Sequence, residues 1–124
     1  RSKPMTPEIQ WNLSVDALAE WTAEDGTAYQ NVVETVHWRC TVKDTDTGES
    51  VTIYSNVAVP KPTGAEDFID LSVLQGQTEA ERRAIVLGWA EAVKPGFVGA
   101  NEQAVADKLQ AKLSEPKRNT VSIL

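Results

Sequence analysis

From Ile9 the chain alternates with a period of two. Ile9, Trp11, Leu13 and Val15 fall on one face, and Gln10, Asn12, Ser14 and Asp16 on the other. Successive side chains of a strand point to opposite sides, so this segment predicts a strand covered on one face and solvated on the other. A strand of that kind needs neighbours to pair with and a layer to cover its apolar face. The rest of the sequence has to provide both.

The neighbours follow directly. Tyr29 to Lys43 holds Val32, Val36, Trp38, Cys40 and Val42 in one phase, with Glu34, His37, Arg39 and Thr41 read as opposite, and a β-branched run extends from Val51 to Val59. Glu24-Asp25-Gly26-Thr27 marks the first turn, and Asp44-Thr45-Asp46-Thr47-Gly48-Glu49 has hairpin length and composition. The stretch after Asp16, with Ala17, Leu18, Ala19 and Trp21, suits either a continued strand or a short helical turn. Pro60-Lys61-Pro62-Thr63-Gly64 leaves the sheet, because proline cannot donate to a ladder. Phe68, Ile69, Leu71, Val73 and Leu74 form an apolar bridge whose local pattern assigns no secondary structure.

The covering layer comes last. Thr78-Glu79-Ala80-Glu81 fits a capping box, opening a helix that runs to about Val93 with Ile85, Trp89 and Ala92/Val93 on one face. Gly88, beside Trp89, is expected to permit close packing on the sheet. Lys94-Pro95-Gly96 ends this helix. A second one, from about Asn101 to Leu113, carries Val105, Leu109 and Leu113 at four-residue spacing and stops before Pro116. These elements predict an α+β domain, an antiparallel β-meander of three to four strands with two C-terminal helices packed on one face. Residues 1–7 read as an extended arm, 8–116 as a single domain and 117–124 as a tail.

Charge and cysteine content narrow the chemistry. A formal charge of −6, with 12 basic against 18 acidic residues, repels phosphate backbones and anionic lipid, and the basic pairs Arg82-Arg83 and Lys117-Arg118 are isolated, so neither a nucleic-acid nor a membrane partner is expected. Cys40 is the only cysteine and His37 the only histidine. Three positions apart on a strand, they point to opposite faces and share neither an ion nor a proton. Asp44 to Glu49 resembles a calcium loop only loosely, since Gly48 is fifth instead of sixth and Ser55 stands where the closing Glu belongs. The acidic groups Glu20, Glu24 and Asp25, and Glu66, Asp67 and Asp70, have no pattern that sets two of them across a cleft. No catalytic residue, cofactor or metal site is assigned, and the expectation is a non-enzymatic protein.

Aromatic residues divide by position. Trp11, Trp38 and Trp89 sit in phase with their elements and are expected in the core. Trp21 and Phe97 lie in or beside connections, where an exposed aromatic more often belongs to an interface. They join Val121, Ile123 and Leu124 of the tail as the interface candidates.

The order of these features resembles a group of small tailed-bacteriophage proteins. Those begin with an alternating Ile-x-Trp-like strand, continue through a strand of the form Val-x-Trp-Arg/Thr-x-Thr, and finish with a Gly-Trp helix, a Glu/Ala/Gln-rich helix and a proline. The matching pieces here are Ile9-Gln10-Trp11, Val36-His37-Trp38-Arg39-Cys40-Thr41, Leu87-Gly88-Trp89, Glu102 to Leu113 and Pro116, over about Glu8 to Pro116. The resemblance implies a virion accessory or structural component, a capsid decoration or tail-associated protein assembled in the host cytoplasm. Its partners would be other phage structural proteins and further copies of itself. An intracellular phage protein that binds and modulates a host protein is the alternative.

Overall fold

In a computed structural model, which describes residues 7–116 and 120–124, three strands form one antiparallel sheet in the order β1-β2-β3. They are β1 (Pro7–Thr22), β2 (Ala28–Asp44) and β3 (Ser50–Ala58), and the helices α1 (Glu79–Val93) and α2 (Phe97–Ser114) follow. The architecture is the expected meander with two helices after it. Of two short 3-10 turns, Ala65–Asp67 precedes the apolar bridge and Leu71–Leu74 lies within it. The ambiguous stretch after Asp16 continues as strand. Pro7, placed in the arm on sequence grounds, instead opens β1 opposite Asp44, a position where a first strand residue on a sheet edge tolerates proline. The rest of that arm, and 117–119 of the tail, lie outside the described residues.

One irregularity interrupts the alternation of β2 near its start and corrects the expected place of Glu34. Asp16 pairs with Thr35 and Ala17 with Val33, so Glu34 is an extra residue in β2. A bulge of this kind shifts the pleat by one and bends the strand. Val33 and Val36 consequently pack in the same cluster, and the Glu34 carbonyl accepts the Val59 N–H at 2.9 Å. The bulge thereby ties down the chain as it leaves β3.

The helices differ in how they meet the sheet. Thr78 and Glu81 form the expected capping box at α1, with reciprocal bonds of 3.1 and 2.9 Å. The inward face is offset from the one expected: Val86 and Ala90 are buried, Trp89 is half-buried, and Ala92 is exposed. The register of the connection decides this, since each residue turns a helix by about 100°. Gly88 is likewise exposed, and a Cβ there would meet no neighbour, so it does not mediate close packing.

Helix α2 begins four residues earlier than its sequence suggests. Gly96 adopts φ 83°, a left-handed conformation open to glycine, and turns the chain directly into Phe97. The Glu91 carboxylate of α1 accepts the N–H groups of Gly96 and Val98 at 2.9 and 2.7 Å, supplying partners that the first turn of α2 would otherwise lack. Phe97 is therefore not an exposed loop aromatic. It is 5% exposed and packs against Trp11 and Trp38, with ring centroids 5.7 and 5.3 Å away. Val105 and Leu109 continue this stripe over Cys40, Val42 and Val57.

Candidate functional site

The reactive side chains are held apart by the sheet. Cys40 is fully buried under α2, where desolvation and then the nearby Glu102 charge push its thiol up to about 11. A thiol so placed is a poor nucleophile at neutral pH. His37 stands on the open face with Nε2 2.6 Å from Asp16 Oδ2, both side chains well exposed. Among the described residues, no three His, Cys, Asp or Glu side chains group so as to hold a metal ion. The loop between β2 and β3 turns its oxygens inward: the buried Asp44 carboxylate accepts from the Thr47 hydroxyl at 2.8 Å, and the Asp44 carbonyl accepts the Gly48 N–H. The acidic cluster at Asp67 also serves its own backbone. Bonds from the Thr63 and Gly64 amides hold the Asp67 carboxyl below the usual range.

The interface candidates occupy three different environments. Trp21 is half-buried, its indole N–H donating to the Pro62 carbonyl at 3.2 Å with the Lys61 ammonium 5.4 Å from the ring centre. It anchors the segment leaving β3 to the end of β1. Phe97 is in the core. Val121, Ile123 and Leu124 are 74%, 89% and 114% exposed, apolar side chains directed into solvent.

Two surfaces escaped the sequence reading. The open face of the sheet carries Arg39 and Tyr54 opposite each other, with the guanidinium 5.5 Å from the ring and Tyr54 72% exposed, next to a Thr41–Thr52 hydroxyl pair at 2.8 Å. The other is a cleft of about 370 Å³ between β1 and the first half of α1. Leu13, Val15, Leu74 and Val86 provide apolar lining, while Glu79, Arg82 and Arg83 supply charged groups. Arg83 bonds to Glu79 at 3.2 Å and Arg82 to the Gln77 carbonyl at 2.8 Å, which orients both guanidinium groups. Residues 11–15 line the cleft without a break, so it follows the edge of β1 itself. Nothing local announces it, because strand and helix residues some 70 positions apart must meet to form it.

At no point does a helix of the described residues reach the length and apolarity needed to cross a membrane. The model of one protein family, described as a domain of unknown function (DUF7936), matches residues 8–122. No curated protein and no solved structure matches the chain significantly.

Proposed function

The chain belongs to the DUF7936 family, and on that footing we propose that it is a non-enzymatic assembly protein, an accessory or structural component of a bacteriophage virion that acts through protein–protein contacts. The observation carrying this reading is the exposure of Val121, Ile123 and Leu124. Three consecutive-to-alternate large apolar side chains in water are a liability unless a partner covers them. The order of the Ile9-Gln10-Trp11, Val36-to-Thr41 and Leu87-Gly88-Trp89 segments, which resembles tailed-phage proteins, supports placing that partner in a particle. The separation of Cys40 from His37 supports a role without covalent chemistry.

Quantitative mass spectrometry of purified particles tests the proposal. Stoichiometric incorporation is expected, and Cys40→Ala and His37→Gln should incorporate as the unaltered chain does. The net charge of −6 favours a second reading, an intracellular ligand of a basic host surface. Absence from particles together with co-purification on a host protein would replace the first reading by the second.

A further inference from the structure

The cleft between β1 and α1 brings together three kinds of group. Its floor is apolar and only partly covered, with Leu13, Val15 and Leu74 half-buried around Val86. One wall is the run of residues 11–15, and β1 pairs with β2 alone among the described residues, so its outer row of backbone N–H and C=O groups has no strand beside it. An edge of this type is a template for an extended chain. The other wall is the stripe Glu79, Arg82, Arg83 and Val86, whose spacing puts these residues on one face of α1.

The charges of that helix wall do not balance. Arg83 is paired with Glu79 at 3.2 Å, whereas Arg82 donates to the neutral Gln77 carbonyl and has no carboxylate partner among the described residues. A chain of net charge −6 thus presents an uncompensated guanidinium beside an apolar floor. A carboxylate is its complement, matching the planar fork of N–H donors. Arg82 and Val86 stand roughly 6 Å apart along the helix, and alternate side chains of a strand roughly 6.7 Å apart. The intervals match, so a chain extended along β1 can set an apolar side chain on Val86 and a carboxylate, two positions along, on Arg82. Capture of a terminal carboxylate uses a nest of backbone amides, and the first turn of α1 is already closed by the Thr78–Glu81 capping box. The acidic group is therefore a side chain.

We propose that this cleft is a docking groove for an extended segment of a partner protein, one that carries alternate apolar residues and then, at the same spacing, an Asp or Glu, and that adds as a strand to the β1 edge. This rests on the protein–protein role proposed above and states what one partner must offer. Main-chain bonds to β1 supply affinity, and the apolar floor and Arg82 select among sequences. A basic residue at the acidic position would meet two guanidinium groups, which excludes such segments. A small amphiphilic anion meets the floor and Arg82 but makes no use of the strand edge, so a polypeptide fits more of the site.

Titration of the isotope-labelled full chain with the blocked peptide Thr-Val-Thr-Val-Thr-Glu-Thr, followed by nuclear magnetic resonance, tests the groove. The site asks only for extended backbone, alternate apolar groups and a carboxylate, so this peptide is a complete probe. Saturable shifts at Arg82 and Val86 and slowed amide exchange over residues 11–15 are expected. Gln in place of Glu in the peptide should weaken binding about fivefold. Arg82→Gln in the protein should erase that preference with an unchanged circular dichroism spectrum, since Arg82 is exposed. Pro in place of the second Val should abolish binding, because proline cannot complete a ladder. No protection over 11–15, equal binding of the Glu and Gln peptides, or undiminished binding of the Pro peptide overturns the inference. So does binding of decanoate where the peptide fails, which would make the cleft a site for a small amphiphile. A chain that enters particles yet ignores the peptide sinks the groove and leaves the virion role intact. Peptide binding by a chain absent from particles keeps the groove and removes the virion role.

Discussion

Helices α1 and α2 are of similar length and cover the same sheet, yet they seal it very differently. α2 sets Phe97, Val105 and Leu109 into the cluster of Trp11, Trp38 and Cys40, all at 8% exposure or less. α1 buries only Val86 and Ala90 fully, holds Trp89 half out, and leaves the cleft against β1. The contrast comes from what the first half of α1 turns toward β1, where Glu79, Arg82 and Arg83 line the cleft with Val86 in place of large apolar side chains. It teaches that one helix of this domain carries packing and the other leaves a cleft open against the sheet edge.

The comparison predicts its own ranking under mutation. Phe97→Ala should cost about 3–5 kcal/mol, as for a fully buried aromatic, whereas Trp89→Ala should cost roughly half as much because its ring is half exposed. Urea melts that keep a constant slope would measure both. Equal losses at the two positions would break the distinction between the helices.

A smaller effect sharpens the account of α1. Thr78→Ala removes a cap and should cost about 1 kcal/mol. The Thr78 amide holds the Glu81 carboxyl below its ordinary value, first through the backbone bond and then through the hydroxyl. Because the folded pKa is the lower one, this contribution is present above the unfolded carboxylate range and fades as pH falls through the folded value. Melts from neutral to acid pH should show the difference between the native chain and Glu81→Gln shrinking toward acid. A difference independent of pH would mean that the carboxylate does not cap the helix.

The smallest effect is a gain. Gly88 lies in the interior of α1 with open space where a Cβ would stand, so Gly88→Ala should stabilise by about 0.5–1 kcal/mol through helix propensity alone. Thermal melts would check the sign. A loss would mean that the outer face of α1 is covered after all, restoring the close packing that Gly-Trp suggests in sequence.

Interactions within a few residues are legible in the sequence itself. The alternation of Ile9 to Val15 made a strand, Asp44 to Glu49 made a hairpin, Thr78 and Glu81 made a cap, and Val105, Leu109 and Leu113 made a stripe. Each involves groups that the covalent chain already brings close, so residue type and spacing suffice to define them. The location of Cys40 on the covered face followed from the same parity. The strand period failed at Glu34 because a bulge depends on what its carbonyl meets, here Val59, well beyond the local window.

What tertiary structure alone decided are the features that need two distant segments at once. Phe97 became core instead of surface because Glu91 supplies the bonds that start α2 there and because Trp11 and Trp38 stand beneath it. The inward face of α1, the Trp21–Pro62 anchor and the cleft along β1 arose in the same way. Sequence by itself determined which elements form and which faces are apolar. Packing then determined which apolar side chains are satisfied within the chain, because burial is a property of the neighbours a residue meets and not of the residue alone.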